Sequence, residues 1–178
     1  YGVQTLRGIE NFSISKFRLS EYPLFIKGLA ITKMAAAMAN FELGLLTVEQ
    51  KDAIIAACGE IIDGKHHDQF PVDMIQGGAG TTTNMNANEV IANRALELMG
   101  HERGEYQYCS PNDHVNCSQS TNDAYPTAIH IGMYFKHLQL LPHLEELIAS
   151  FRKKGEEFSR IIKMGRTQLE DAVPMTLG

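Results

Sequence analysis

The sequence predicts a mainly α-helical protein, and three observations lead to that fold class. Apolar residues recur at spacings of three and four along most of the chain, which is the pattern of a helix with one buried face. A capping box, in which a threonine is followed three residues later by a glutamine, marks the start of one such segment. Glycine and proline stand where these patterns end. We therefore expect helices joined by loops, with the polar chemistry concentrated in the loops.

Length and composition limit the classes of function. The chain has 178 residues and a net charge of −5, and its longest basic run is residues 152–154, so nucleic acid is not an expected partner. The apolar runs are shorter than the ~20 residues of a membrane span, and we find no signal peptide. Three cysteines without metal-ligand spacing indicate reduced thiols and a cytoplasmic protein. The chain starts at Tyr1 rather than Met, and we expect it to be a piece of a longer protein.

The first part of the chain is expected to hold an arm and two helices. Residues 1–19 are interpreted as an extended arm. The helix near Pro23 should bury one apolar face, formed by Ile31, Met34, Met38, Phe41 and Leu45. Thr47 and Gln50 form the capping box of the next helix, and Gly64 sits where its left-handed cap belongs. The apolar face of that second helix is predicted to be Ile54, Cys58, Ile61 and Ile62.

The later helices are predicted from the same signals. One helix should begin near Asn86 and end at Gly100. Pro142 is expected to divide the apolar pattern that follows into two long helices, which would pack as antiparallel neighbours in a bundle. Gly165 should end the second of them, and Pro174 fits the first turn of a further helix.

Two familiar kinds of site find little support. Residues 66–68, His-His-Asp, resemble part of a metal site, but no fourth ligand has suitable spacing, so a polar loop is favoured and no metal ligand is assigned. Residues 76–84 are glycine-rich, but they lack the Gly-Lys-Ser/Thr ending of a nucleotide loop and follow no strong strand. Binding of ATP or NAD is therefore not predicted.

Three polar stretches, each at the end of a predicted helix, are the candidate binding elements. They span residues 76–84, 108–130 and 165–172, and they share hydroxyl and amide side chains with few charges. Neutral donors near helix N-termini can bind a carboxylate without the cost of burying Lys or Arg. This favours a small dicarboxylate over a phosphate as the ligand, whereas the alternative interpretation is that of capped helices and polar turns.

These stretches resemble the conserved regions of the fumarase/aspartase superfamily, and the resemblance covers nearly the whole chain. The matching segments are Gly-Gly-Ala-Gly-Thr-Thr-Thr-Asn ending at Asn84, Ser-Gln-Ser-Thr-Asn-Asp ending at Asp123, and Gly-Arg-Thr-Gln beginning at Gly165. Ser110 and Gln168 stand where fumarases usually have histidines, which favours the aspartase branch. The resemblance implies a small N-terminal helical domain, residues 1–120, followed by the start of a long-helix bundle, residues 121–178.

The resemblance also implies a reaction and a set of roles. The reaction is the reversible conversion of L-aspartate to fumarate and ammonia through an aci-carboxylate intermediate. The implied substrate-binding residues are Thr81, Ser120 and Thr121 at the β-carboxylate, Asn122 and Gln168 at the amino group, and Thr167 at the α-carboxylate. No cofactor is implied, although a divalent metal activates some aspartases.

One part of the family's machinery is absent from this sequence. In the family the general base is a serine on a downstream Gly-Ser-Ser loop, and active sites are shared among three subunits of a homotetramer. No residue here receives the base role, so we expect this chain alone to be inactive. Two alternatives remain open, namely a piece of a fumarate hydratase, or a non-catalytic ligand-binding or assembly domain of the same fold.

Overall fold

The computed structural model describes residues 1–75 and 78–178, which form two compact units, Tyr1–Phe135 and Lys136–Gly178. The first unit is built from helices, and the second holds the rest of a long helix and a β-hairpin. The prediction of a mainly α-helical fold is confirmed. The unit boundary falls inside the long helix, and the predicted domain division after residue 120 stays a prediction.

The helices of the first unit surround one hydrophobic core. They are α1 (Val3–Asn11), α2 (Pro23–Glu42), α3 (Val48–Ile62), α4 (Thr81–Leu98) and the beginning of α5 (Thr121–Glu157). Short turns of 3-10 helix join them at Leu19–Glu21, His67–Gln69 and Gly78–Gly80, and a π-helical turn lies at Pro111–Val115. The centre of the core is formed by fully buried side chains of α2, α3 and α4, among them Ile26, Ile54, Ile61, Ile91 and Leu96.

The capping predictions for α3 are confirmed. Thr47 Oγ1 accepts a hydrogen bond from the Gln50 amide at 3.2 Å, and Gln50 Oε1 accepts one from the Thr47 amide at 3.1 Å. Gly64 follows the helix with φ of +93°. Ile54, Cys58 and Ile61 are buried as predicted. By contrast, α4 begins at Thr81 rather than near Asn86, because the preceding glycines lead directly into the first helical turn.

The predicted buried face of α2 is confirmed only in part. Met34 and Phe41 are partly buried against the core, as predicted. Met38 and Leu45 are half exposed, whereas the buried side of α2 consists of Ile26, Leu29, Ala30, Lys33, Ala37 and Asn40. Lys33 and Asn40 interrupt the apolar spacing on the side that packs inward, so the Met-rich stripe looked like the better core face. Both of these buried polar side chains contact the loop that precedes α5.

By length and composition, α2 is also the one helix in the described part of the chain that could cross a membrane, with a mean hydropathy of 1.3. Its continuous apolar runs are nevertheless shorter than the ~20 residues of a membrane span, because Lys27, Lys33 and Asn40 interrupt them. The same helix supplies core residues such as Ile26 and Leu29 to the first unit. A core helix of a globular unit meets the same criteria, so this is weak support for a membrane span.

Residues 1–19 are not the extended arm that the sequence predicts, since they contain α1. The carboxylate of Glu89 on α4 holds the start of this helix. It accepts hydrogen bonds from the amides of Gly2, Gln4 and Thr5 at 2.9, 2.8 and 3.0 Å and from Thr5 Oγ1 at 2.6 Å. A carboxylate at a helix N-terminus satisfies amides that have no partner within the helix. The organising residue lies more than 80 positions away in sequence, so no local pattern reveals it.

Replacing Glu89 with alanine is expected to release α1 from α4. The variant loses four hydrogen bonds to a charged acceptor, and the net contribution of a single bond of this kind is on the order of 1.5–3 kcal/mol. We expect hydrogen-exchange protection of α1 to fall about 100-fold, measured by mass spectrometry. Glu10→Ala, at an exposed position of α1 itself, is the matched control and should leave protection unchanged; equal protection in both variants would contradict this role.

The second unit departs most from prediction. Pro142 does not divide the helix, because α5 runs without a break from Thr121 to Glu157. A proline removes a single N–H donor, and the leucines, lysines and glutamates around it favour helix. No antiparallel helix pair forms there. The second long helix was expected to end at Gly165 and a further helix to begin at Pro174. Both predictions are wrong, because Gly165 lies in strand β1 (Ile162–Thr167) and Pro174 lies in strand β2 (Glu170–Thr176).

These strands form an antiparallel hairpin with a two-residue turn. Thr167 pairs with Glu170, and the turn residues Gln168 and Leu169 have φ of +50° and +65°. Positive φ at both central positions is the I′ geometry, which asparagine and glycine normally supply. The Gln-Leu pair gives no such signal, and Pro174 argues against a strand unless the strand lies at a sheet edge, as it does in a two-stranded hairpin.

Candidate functional site

The first two polar stretches meet at the start of α4. Gly80 has φ of +87°, and a Cβ atom placed on it would lie 2.6 Å from ring atoms of Tyr125, on the second turn of α5. The backbone before Thr81 thus rests directly on the Tyr125 ring, which only glycine permits. Gln76 and Gly77, part of the predicted glycine-rich anion site, lie outside the described residues.

A hydrogen bond joins the two stretches one turn into α4. Asn84, which is buried, donates from Nδ2 to Thr121 Oγ1 at 3.1 Å and to Asn116 Oδ1 at 3.0 Å. The predicted site residue Thr121 is therefore oriented by a side chain from α4. Thr81 lies three residues before Asn84, at the exposed first position of the same helix.

Ser120 caps α5 in addition to being a candidate ligand. Its Oγ accepts a hydrogen bond from the Asn122 amide at 3.1 Å, and its carbonyl accepts one from the Ala124 amide at 3.0 Å. Ser120 and Asn122 are exposed, and Thr121 is partly buried between them. The result is a helix N-terminus with hydroxyl and amide side chains, a local environment that suits a carboxylate.

An open cleft of about 580 Å³ lies beside these residues. Its walls are mostly apolar, formed by Met74, Ile75, Ala79, Gly80, Asn122, Tyr125, Pro126 and Ile129. Asn122 is the member of the predicted site that lines it. A cleft with apolar walls and few polar groups at one end fits a small ligand whose charged end meets the helix N-terminus.

Thr167 and Gln168, the remaining predicted site residues, belong to the second unit. Both are exposed at the turn of the β-hairpin, and Leu169 beside them is 97% exposed. Gln168 has a left-handed backbone conformation, which is uncommon for residues other than glycine, asparagine or aspartate. Uncommon backbone conformations of this kind cluster at functional sites.

Ser110, Asp113 and His114, at the beginning of the second stretch, bond to each other. Ser110 Oγ donates to Asp113 Oδ2 at 2.9 Å and accepts from the Asp113 amide at 3.1 Å. His114 Nδ1 accepts from the Ser110 amide at 2.7 Å. These contacts cap the π-helical turn, so the interpretation as a capped polar turn holds for this part of the stretch.

The His-His-Asp segment likewise has structural contacts. His66 Nε2 lies 2.9 Å from Glu60 Oε2, and Arg94 Nε lies 2.6 Å from the same oxygen. Hydrogen bonds from Arg94 and then His66 lower the pKa of Glu60 to about 2. His67 Nε2 lies 2.9 Å from the Ile61 carbonyl. Among the described residues, no three His, Cys, Asp or Glu side chains are grouped so as to hold a metal ion.

Sequence reasoning missed the interior support of the site. Asn84, Asn88 and Asn116 form a group that we call the amide cluster, in which Asn116 Oδ1 accepts hydrogen bonds from the other two and from Lys33 Nζ. Lys33 is fully buried. Burial lowers its pKa to about 7, and the nearby Cys58 opposes this only in part. The asparagines at positions 84, 86, 88 and 93 of one helix were the available signal.

Comparison with known proteins shows the family to which the sequence belongs. The sequence matches the lyase family over residues 1–178. The chain belongs to the lyase family. An aspartate ammonia-lyase of Helicobacter pylori (strain J99) is 61% identical to this lyase chain over 178 residues, which cover 100% of the chain and 38% of that protein.

Two solved structures of related lyases share the fold. Fumarate lyase:delta crystallin from Brucella melitensis in native form superposes with a TM-score of 0.88 at 55% identity, covering 99% of this chain and 41% of that one. Class II fumarase from Schistosoma mansoni superposes with a TM-score of 0.83 at 40% identity, covering 99% and 37%. The lyase chain therefore spans well under half the length of the relatives that it matches.

Proposed function

We propose that this chain is the part of an aspartate ammonia-lyase that supplies the carboxylate-binding segments. The observation that carries the proposal is 61% identity to such an enzyme along the entire chain, against 40% to a class II fumarase. The grouping of Thr121, Asn122 and Ser120 at the N-terminus of α5, with Thr81 at that of α4, supports it. Ser110 and Gln168, where fumarases usually have histidine, support the same branch.

The chemistry assigns a role to each polar group. Removing a proton from the carbon beside the β-carboxylate places a second negative charge on that carboxylate. Donors from Thr81, Ser120 and Thr121 stabilise this charge, and a single aligned donor of this kind contributes about 3 kcal/mol to lowering a barrier. Asn122 and Gln168 orient the amino group, and Thr167 binds the α-carboxylate. Ammonia leaves with the electron pair of the C–N bond, so the reaction needs no cofactor.

The remaining parts of the active site are proposed to come from elsewhere. The general-base serine belongs to a loop that this sequence does not contain, and we expect the chain by itself to be inactive. The second unit exposes an apolar stripe along α5, formed by Leu141, Leu144, Ile148 and Phe151. Such a stripe is expected to pack against further copies of the chain, as in a homotetramer. A net charge of −5 and free thiols fit a cytoplasmic enzyme without a nucleic-acid or membrane partner.

An activity assay of the full-length protein tests the proposal. With L-aspartate as substrate, fumarate should accumulate, followed by its ultraviolet absorbance, and ammonia should form in equal amount. L-malate should give no fumarate, whereas rapid formation of fumarate from malate with no turnover of aspartate would identify a fumarate hydratase instead. Inertness toward both substrates would favour the non-catalytic alternative. The isolated chain, tested in parallel, should be inactive on both.

A further inference from the structure

Lys33 carries a buried amine that the proposed reaction does not use. Its side chain is fully buried on the inner face of α2, and its Nζ donates to Asn116 Oδ1 at 2.8 Å. Among the described residues, Asn116 is the hydrogen-bond partner of the Lys33 amine. Burying an amine is costly unless it is well bonded, and a hydrophobic side chain of similar length would fill the same space. Packing alone therefore does not explain a lysine at this position.

The contacts of Asn116 lead from Lys33 to the candidate site. Asn116 Oδ1 also accepts from Asn84 Nδ2, and Asn84 Nδ2 in turn lies 3.1 Å from Thr121 Oγ1. On its other side, Asn116 Nδ2 donates to the Gln119 carbonyl at 3.0 Å, one residue before Ser120. A second buried polar residue of α2, Asn40, donates to the Cys117 carbonyl at 2.8 Å. The inner face of α2 thus holds the loop before α5 at two points.

The amide cluster has one acceptor where several donors converge. A carbonyl oxygen has two lone pairs, yet Asn116 Oδ1 faces Lys33, Asn84 and Asn88. Meanwhile Asn84 Oδ1 and Asn88 Oδ1 are buried with no hydrogen-bond partner in the described part of the chain. Of the three donors, Lys33 Nζ lies nearest to this oxygen, at 2.8 Å against 3.0 Å for Asn84 and 3.2 Å for Asn88. Removing Lys33 would therefore let Asn116 Oδ1 shift toward the two asparagines, which would change the orientation of Asn84 and, with it, that of Thr121.

We propose that Lys33 is a positioning residue for the carboxylate site, acting through Asn116 and Asn84 on Thr121; the proposal rests on the function proposed above. Lys33 does not touch the substrate. It holds the amide cluster in the one arrangement that directs the Thr121 hydroxyl, and it couples α2 to the N-terminus of α5.

The test is a kinetic comparison of full-length proteins. Lys33→Met keeps the length of the side chain and removes the donor, and it is expected to lower kcat/KM for L-aspartate at least 10-fold while raising KM at least threefold. A purely structural role would reduce the amount of active protein, which lowers kcat and leaves KM unchanged. Lys27→Met is the matched control, because Lys27 lies on the same helix over the Phe135 ring and outside the cluster; its kcat/KM should stay within twofold of wild type.

A double-mutant cycle decides whether Lys33 acts through Thr121. If it does, Lys33→Met should cost less than twofold in a Thr121→Val background, because the hydroxyl that it orients is gone. Losses that multiply in the double variant would overturn the proposal, as would a Lys33→Met protein with unchanged KM. If Lys33→Met yields no folded protein, Asn116→Ala replaces it, because this variant removes the acceptor of the Lys33 hydrogen bond. The same changes in kcat/KM and KM, and the same result of the double-mutant cycle, are then expected for Asn116→Ala.

Activity of the wild-type protein separates the positioning role of Lys33 from the function proposed above. A wild-type protein that leaves aspartate unchanged overturns both. A wild-type protein that converts aspartate, combined with a Lys33→Met variant whose kcat/KM is within twofold of it, overturns the positioning role alone.

Discussion

Gly28→Ala is expected to destabilise the protein more than a Gly→Ala substitution elsewhere in α2 or α3. Gly28 lies where α2 crosses α5, and a Cβ atom at this position would fall 2.2 Å from the Ala128 carbonyl oxygen and 3.1 Å from its carbon. Both are backbone atoms, so the helices would have to separate. Gly132 makes the reciprocal approach, with a Cβ position 3.0 Å from the Leu24 oxygen.

The expected magnitude follows from the cost of overpacking. Inserting a methyl group into a closely packed site costs typically 1–3 kcal/mol, and a contact with backbone falls at or beyond the upper end, so we expect a loss of about 3 kcal/mol or more. In a unit of this size that lowers the melting temperature by roughly 6–12 °C. Thermal unfolding followed by circular dichroism measures it.

Gly59→Ala is the matched control for this substitution. Gly59 lies within α3, and no side chain or neighbouring element in the described part of the chain comes within 4 Å of its Cβ position. Alanine should therefore raise stability by about 0.5–1 kcal/mol through its better helix propensity. Ordinary surface substitutions change the melting temperature by no more than roughly 2 °C. If the Gly28→Ala variant melts within that range of wild type, the close crossing of α2 and α5 is not present in solution.

Thr121→Val is expected to have the largest effect on activity. The substitution keeps the shape of the side chain and removes the hydroxyl that we assign to the β-carboxylate. Loss of one donor to a developing oxyanion costs on the order of 100-fold or more in rate. We therefore expect kcat/KM for L-aspartate in the full-length protein to fall about 100-fold, with the melting temperature close to that of wild type because Asn84 Nδ2 keeps Asn116 as an acceptor.

Two further variants separate chemistry from packing at this position. Thr121→Ser retains the hydroxyl and should recover most of the activity. Thr127→Val changes the same residue type at an exposed position of α5 outside the proposed binding set and should leave kcat/KM within twofold of wild type. Equal losses in Thr121→Val and Thr127→Val would show that the hydroxyl of Thr121 has no special role.

The comparison of sequence and structure shows which interactions local patterns reveal. The α3 helix was predicted in detail, because its capping box, apolar face and terminal glycine all act within one helix. The N-terminal helix was missed, because the group that satisfies its amides is Glu89 on another helix. The hairpin was missed because Gln168 and Leu169 adopt left-handed conformations without the residue types that usually signal them.

The candidate site shows the same division. The three polar stretches are recognisable by composition, and the resemblance to the superfamily implies a binding role for Thr121 within them. The support beneath Thr121 was not recognisable, because Lys33 and Asn40 on α2 break the apolar pattern that identifies a buried face. Buried polar side chains that hold each other become visible only when tertiary contacts are known, since each alone looks like a surface residue.

The most direct test of the central claim is a crystal structure of the full-length assembly with L-aspartate bound. The account predicts that one carboxylate of the ligand lies within hydrogen-bonding distance of Thr81, Ser120 or Thr121, with Thr167 and Gln168, from the same or a neighbouring subunit, at its other end. A structure in which these residues line unrelated pockets across all subunits, with aspartate bound elsewhere, would contradict it.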